Sequence, residues 1–445
     1  MTTVKEQHQI QAEFKSRMDE NELLNCMRCG FCLPTCPTYI ESGFQESHSP
    51  RGRIALMKAV VDGLIEPDED FERSLNMCLG CRACEPVCPS GVNYGHLLEE
   101  ARDIVAQNKK HSLPVRAIRK TVFEGVFPYQ HRMRTLTGLL GVYQRSGIQK
   151  LVQKSGMMKL FPDNLATMEK VLPSVPTIKE MKNRPNHLES IGTKKKKVAF
   201  FSGCLMDTMF MKTNDATMKL LQLAGCEIVI PTSQTCCGAL HGHSGEKNQA
   251  KELARRNIAA FEEIEADYII TNAGGCGAFL IEYDHLLKDD PTWAERAKVF
   301  SNKLKDITSV LVELEFHKKE LVLPSQIITY QDSCHLRNVM KTASEPRLLL
   351  QSIQGATFME MKNADSCCGS AGIYNIVESE MSMKILDSKM ENVKNTEAKT
   401  IVTANPGCLL QMKLGIEREG LSDKMRAVHI VDLLVEAVES HNVKL

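Results

Sequence analysis

Three things are missing from this 445-residue sequence, and each absence narrows what the chain can be. There is no net charge: 55 Lys and Arg face 55 Asp and Glu. That leaves no overall field to gather nucleic acid or another strongly charged partner, and no nucleic-acid role is expected. There is no long apolar run. Clean stretches such as "VAFF" at 198–201 and "AFLI" at 278–281 stop at four residues, and the opening "MTTVKEQHQIQAEF" is polar. Neither a membrane span nor a secretory signal is expected, which points to the reducing cytoplasm. Finally, there is no G-x-G-x-x-G after a strand and no G-x-x-x-x-G-K-S/T, hence no nucleotide cradle in the chain itself. Length predicts two to four domains, with the composition of a soluble globular protein. The clearest local excess of charge, Lys194 to Lys197, reads as a solvated linker ahead of a strand; a membrane-surface or partner contact is the alternative.

Cysteine, by contrast, is abundant. Seventeen occur, and in a reducing compartment they are ligands or reactive thiols rather than disulfides. The first eight form two copies of one spacing, Cys26-x2-Cys29-x2-Cys32-x3-Cys36-Pro37 and Cys78-x2-Cys81-x2-Cys84-x3-Cys88-Pro89. A zinc site has no use for a third thiolate at the next x2 step, and a redox dithiol needs only one pair. The spacing is that of paired 4Fe-4S clusters, in which the outlying fourth cysteine serves the other cluster. Cys26, Cys29, Cys32 and Cys88 are therefore expected to hold one cluster, and Cys78, Cys81, Cys84 and Cys36 the other. Pro37 and Pro89 turn the chain so that the fourth thiolate points away from the first three. Between the motifs, Ser49-Pro50 predicts a helix start, with Ile54, Met57, Val61 and Leu64 as its stripe. Leu97, Ala101 and Ile104 mark another helix. The unit resembles the α-helical ferredoxin domains of respiratory dehydrogenase iron-sulfur subunits.

Residues 106–195 hold six prolines and no cysteine, and read as helices and loops bridging two domains. Beyond them the cysteines repeat. Cys204, Cys236, Cys237 and Cys276 recur as Cys334, Cys367, Cys368 and Cys408 at offsets of 130 to 132 residues, the mark of a duplicated module. Each copy alternates strand and helix signals, which predicts a parallel sheet with its cysteines beyond the strands' C-terminal ends. Adjacent cysteines point in different directions and suit bridging to separate irons. Cys226 has no counterpart and reads as core. His241, His243 and His335 lie beside these cysteines as candidate proton donors or ligands, against the plainer reading of hydrogen-bonded loop histidines.

Two ferredoxin motifs followed by two Cys-Cys-Gly modules resemble the glycolate oxidase iron-sulfur subunit family. The details "CMRCGFC" at 26–32, "HSPRGRI" at 48–54 and "CCGALHGHSG" at 236–245 carry the likeness. Related architectures occur in an anaerobic glycerol-3-phosphate dehydrogenase subunit, lactate-utilisation proteins and heterodisulfide reductase subunits. The resemblance implies an α+β multidomain chain: an α-helical ferredoxin-like domain at 1–105, a helical linker at 106–195, and two α/β cysteine-rich modules at 196–322 and 323–445. It implies two 4Fe-4S clusters on the eight N-terminal cysteines, and one or two further iron-sulfur clusters on the eight module cysteines. An FAD-containing hydroxy-acid dehydrogenase subunit is the implied electron donor, and a quinone or other acceptor the implied destination, with at most peripheral docking at the cytoplasmic face of a membrane. One departure stands out. Heterodisulfide reductases end each module with Cys-x2-Cys, but here the last position is Phe279 or Gln411, so a five-thiolate cluster is not expected. A D-lactate or glycerol-3-phosphate dehydrogenase subunit, a disulfide reductase and a structural metal protein stay open as alternatives.

Overall fold

A computed structural model describes residues 4–109, 112–157 and 163–442. The N-terminal unit is helical around its cysteine loops. Ser49 caps helix Pro50–Val61 by accepting from the Gly52 amide at 2.9 Å, with proline in the first turn. Ile54, Met57 and Val60 of this helix pack with Phe14 and Phe71 and with the expected stripe Leu97, Ala101 and Ile104 of helix Tyr94–Asn108. The expected stripe runs one turn too far: the helix ends at Val61, and Leu64 is exposed beyond Gly63, whose φ of 73° turns the chain.

The second half contains two sheets of like topology. The first comprises β1 (His187–Leu188), β2 (Lys196–Phe200), β3 (Cys226–Val229), β4 (Tyr268–Thr271) and β5 (Leu304–Asp306), in the order β1-β3-β2-β4-β5. The second comprises β6 (Val322–Gln331), β7 (Gln354–Phe358), β8 (Thr400–Thr403) and β9 (Arg426–His429), in the order β7-β6-β8-β9. All pairings are parallel except that of β1, which closes one edge antiparallel. The register sets Val198 beside Ile228 and Ala199 beside Ile269; in the second sheet Thr329 faces Ile401 and Val402 faces Val428. The central strands β4 and β8 and the second half of β6 are buried on both faces, as expected within a parallel sheet, while edge strand β7 stays largely exposed.

The two modules share a core. Helix Met211–Leu223 of the first packs on helix Ile430–Asn442 of the second, and Ile307–Glu313 packs on Ser344–Gln351. Leu220, Leu221, Val310, Leu311, Leu349, Leu350, Leu433 and Leu434 are all fully buried in one apolar cluster. Each is worth about 1.5–3 kcal/mol relative to exposure, so parting the modules would expose much of what stabilises both. At the seam, Gly274 lies so close to the other module that an added Cβ would meet Ser333 Oγ at 2.3 Å and Leu336 Cβ at 2.9 Å. Gly274→Ala is expected to destabilise the protein by about 1–3 kcal/mol, the usual cost of overpacking, measurable as a lower midpoint in denaturant unfolding.

The linker forms helices Leu113–Arg119, Gln130–Arg145, Ile148–Ser155, Asp163–Lys170 and Ile178–Lys182. It is fastened to the first module through Arg119–Glu246, Arg134–Asp207 and the bond from Thr235 Oγ1 to Pro128 O at 2.7 Å. The lysine run is not wholly linker. Lys196 and Lys197 open β2, and the run is paired off, Lys194 and Lys197 with Glu227 and Lys196 with Glu313.

Candidate iron-sulfur centres and the cavity between them

All seventeen cysteines are free thiols, and sixteen of them gather into four groups. Cys26, Cys29, Cys32 and Cys88 line one small cavity that Cys84 also reaches, with Cys29 exposed to solvent. Cys36 lies with Cys78, Cys81 and Cys84, close enough for their charges to interact. Both three-cysteine loops bend the same way: the residues flanking the middle cysteine, Arg28 and Gly30 around Cys29, Gly80 and Arg82 around Cys81, all take positive φ. Left-handed backbone on each side of a thiol curls the loop around it and turns amides inward; the Gly80 amide lies 3.4 Å from Cys78 Sγ.

The second group is built for negative charge. Arg53 is completely buried, and among the described residues it bonds no carboxylate: Nε donates to Ser74 O at 2.6 Å, Nη2 donates to Thr38 Oγ1 at 3.1 Å, and Nη1 has no partner. The charges that act on it most are those of Cys78, Tyr94 and Cys36. Burial alone would raise the Cys78 thiol, but Arg53 and Arg102 carry it below its usual value. A buried guanidinium without a counter-ion is costly, and an anionic cluster on these thiolates would supply one. The donor set and its surroundings fit a 4Fe-4S group.

In the modules, parallel strands deliver the remaining cysteines to one place. Cys204 follows β2 and Cys236-Cys237 follow β3; Cys367-Cys368 follow β7. Cys334 opens helix Cys334–Asn338, while Cys276 and Cys408 are each the third residue of the helices Gly274–Ile281 and Pro406–Arg418. Those helix N-termini favour negative charge. Within each copy the thiols touch in series, Cys204–Cys236–Cys237–Cys276 and Cys334–Cys367–Cys368–Cys408. Contact with the neighbouring thiol, together with burial, pushes Cys204 and Cys334 well above the usual thiol value. Thiols held in this way, Cys204 and Cys334 among them, ionise where a metal centre takes up the charge. Gly369 is required here: its φ is 88°, and a Cβ would lie 2.7 Å from Ser382 O.

The copies are not equivalent. In the second, Lys389 is buried behind Cys367 and Cys368 and donates to Asn363 O. The matching position of the first is neutral Asn257, which donates to Cys236 O at 2.9 Å. Phe279 and Gln411, where a fifth cysteine would stand, are both buried. Phe279 packs against Gly238 and Gly242, and Gln411 is bonded at both ends of its amide, to Asn375 and Ser382. Neither copy has a fifth thiolate. Cys226, fully buried in β3, is core.

All eight module cysteines, joined by Cys78, line a single cavity of about 470 Å³ between the two modules and the ferredoxin unit. The ferredoxin unit is seated beside it through its second cysteine loop. His335 Nε2 donates to Gly80 O at 2.9 Å, Asn338 Nδ2 to Cys81 O at 2.9 Å, and Tyr374 Oη to Met77 O at 3.0 Å. Cys81 is thereby within interaction range of Cys334 and Cys367. The three histidines are joints between domains. His241 bonds Phe123 O and His243 bonds Glu99, both on short helix Ala239–His243 rather than on a loop. Burial, reinforced by His243, lowers His335 to about 4, so it is neutral at pH 7.

A helical unit with two clustered-cysteine loops, set against two duplicated cysteine-rich modules, defines an iron-sulfur electron-transfer protein of the oxidoreductase class. Family models agree segment by segment: a 4Fe-4S dicluster domain over residues 22–92, the linker region of the glycolate oxidase iron-sulfur subunit over 114–172, and a cysteine-rich domain over 198–281 and again over 328–413. The chain is 74% identical over 438 residues to a probable glycolate oxidase iron-sulfur subunit of Bacillus subtilis (98% of this chain, 99% of the relative). It is 33% identical over 387 residues to the glycolate oxidase iron-sulfur subunit of Escherichia coli (86% and 88%). Lactate utilization protein A of an Exiguobacterium species is 31% identical over 243 residues, 54% of this chain and 98% of that one. The chain belongs to the glycolate oxidase iron-sulfur subunit family.

Proposed function

We propose that this chain is the electron-relaying subunit of a glycolate dehydrogenase complex, taking electrons from an FAD-containing subunit that oxidises glycolate to glyoxylate. The observation that carries the reading is the succession of thiols from solvent to cavity: exposed Cys29, the small cavity it shares with Cys84, the group of Cys36, Cys78, Cys81 and Cys84, then Cys334 and Cys367 near Cys81, then the large cavity. The proposed ligand groups are Cys26, Cys29, Cys32, Cys88; Cys36, Cys78, Cys81, Cys84; and one further four-thiolate cluster in each module. When bound, such clusters accept and donate electrons one at a time, which lets a two-electron flavin reaction feed a one-electron path. The chain's own residues do the rest. Arg53 and Lys389 offset negative charge, the interdomain bonds at Gly80 and Cys81 fix spacing, and apolar packing buries Cys36, Cys78, Cys84 and six of the eight module thiols.

Met27 and Phe31, each 66% exposed beside Cys29, form the entry face for the flavoprotein. The cavity wall is largely apolar, with Met206, Met209, Phe210, Leu240 and Ile376 facing the thiols. That suits a quinone as acceptor, and His243 on the same wall, bonded from behind to Glu99, is placed to return protons to it. No helix among the described residues is long and apolar enough to cross a membrane, so a membrane quinone would be met by docking at the cytoplasmic face.

Purified anaerobically and alone, the chain should carry iron and acid-labile sulfide in equal amounts, roughly four of each per four-cysteine group, and should not oxidise glycolate. Adding the flavoprotein should restore glycolate-dependent dye reduction, with D-lactate and glycerol 3-phosphate inactive. Tight flavin binding and glycolate oxidation by the isolated chain would defeat the reading. Activity with D-lactate in place of glycolate would move the substrate but keep the relay.

A further inference from the structure

The linker is built inside out. Helices Leu113–Arg119 and Ile148–Ser155 bury no residue at all, yet carry Leu113 (77% exposed), Ile118 (63%), Ile148 and Leu151 (68%). On helix Gln130–Arg145 the inward positions include Met133, Thr137, Gly138 and Gly141, two of them glycine, while Leu136 and Leu139 (61%) stand outward, three residues apart. A surface helix normally shows the reverse arrangement. Helices Gln130–Arg145 and Ile148–Ser155 pack on one another, so Leu136, Leu139, Ile148 and Leu151 are exposed on neighbouring helices, and several large apolar residues so exposed mark an interaction site.

Charge distinguishes what that site meets. Between residues 112 and 157 there are eight Lys and Arg and a single acid, Glu124, in a chain whose total charge is zero. Arg119 and Arg134 are taken up by Glu246 and Asp207, and Arg132 and Arg145 donate to backbone carbonyls. Arg116, Lys120, Lys150 and Lys154 have no carboxylate partner among the described residues, and they lie on or next to the two helices with exposed aliphatics. Aliphatic residues interleaved with unpaired cations on short helices are the pattern of a segment that lies in an anionic membrane surface.

We propose that residues 113–157 form a peripheral membrane-docking surface, with the aliphatic residues entering the headgroup boundary and Arg116, Lys120, Lys150 and Lys154 meeting anionic lipid. Position agrees with this: Arg119, on the first of these helices, also lines the thiol cavity, so docking brings the cavity to the bilayer. The inference rests on the membrane-quinone reading above for its purpose, but not for its evidence.

The test uses the full-length holoprotein, assembled anaerobically, and cosedimentation with quinone-free vesicles of phosphatidylcholine alone or with phosphatidylglycerol. Binding should require phosphatidylglycerol and weaken with salt. The pair Lys150→Gln and Lys154→Gln should bind about thirtyfold more weakly, and the pair Leu139→Glu and Leu151→Glu should abolish binding. In both variants, cluster absorbance, thermal unfolding and glycolate-driven reduction of a water-soluble dye with added flavoprotein should be unchanged. No vesicle binding, equal binding to phosphatidylcholine, or unaltered binding by the variants would overturn the proposal. So would loss of flavoprotein copurification in the leucine pair, which would identify this face as the subunit interface. Vesicle binding is scored without quinone, so failure of the quinone reading would leave this result standing, and the reverse.

Discussion

Cys81→Ser is expected to reduce electron transfer from glycolate to the acceptor to background while leaving the fold in place. Cys81 belongs to the second ferredoxin group and is also the thiol that faces Cys334 and Cys367, with its carbonyl held by Asn338. In the proposed assignment, removing it would take out a cluster ligand where the ferredoxin unit meets the second module. Iron and sulfide should fall by one cluster's content, roughly four of each, and the flavoprotein should still be reduced by glycolate. A matching change at Cys226, buried in β3 away from the four groups, should cost stability through lost packing but leave iron content and transfer intact. Metal analysis and dye reduction on the two variants separate ligand from core directly.

The second large effect is expected at Arg53. Its guanidinium is completely buried, fixed by Ser74 O and Thr38 Oγ1, and its nearest charges are the thiols Cys78 and Cys36. A cluster gains one negative charge on reduction, and a fixed buried cation favours that state, because net charge and surroundings set cluster potentials. Arg53→Met keeps most of the side-chain volume and deletes the charge. The midpoint potential of the cluster on Cys36, Cys78, Cys81 and Cys84 should drop by at least a tenfold shift in its reduction equilibrium, about 59 mV for one electron. The potential of the cluster at exposed Cys29 should change much less. Redox titration followed by electron paramagnetic resonance would resolve the two. Equal shifts in both, or none, would remove Arg53 from this role.

How much of this was legible in the sequence differs by feature, for physical reasons. Ligand spacing is local, so a crossed pairing of Cys36 and Cys88 can be proposed from the sequence; the structure sets Cys36 among Cys78, Cys81 and Cys84, and Cys88 in a cavity with Cys26, Cys29, Cys32 and Cys84. Duplication made three strands of each module readable, "YIIT" and "TIVT" being β4 and β8 with Cys276 and Cys408 following on helix N-termini, whereas the short strands β1, β5 and β9 and the order of strands in each sheet were not. What depends on distant contacts was not readable. The apolar helices Ile307–Glu313 and Ile430–Asn442 give no sign that they pack across the modules into one core. "HSPRGRI" reads only as a family mark until folding buries Arg53 beside two thiols that lie 17 residues before and 25 after it in the sequence. Lys389 looks like an ordinary helix lysine, and its placement behind Cys367 and Cys368 follows from the helix's packing. The linker's outward aliphatics likewise look like core until it is known which face each helix turns in.

The central claim is that electrons cross this chain from the Cys29 face to the cavity through the Cys81 contact. The most direct measurement mixes the oxidised holoprotein anaerobically with glycolate-reduced flavoprotein in a stopped-flow spectrophotometer and follows flavin and iron-sulfur absorbance together. The expected result is flavin reoxidation matched by iron-sulfur bleaching that extends to the module clusters, and that stops short of them in Cys81→Ser. Flavin that stays reduced beside oxidised clusters, or full bleaching of the module clusters in Cys81→Ser, would contradict it.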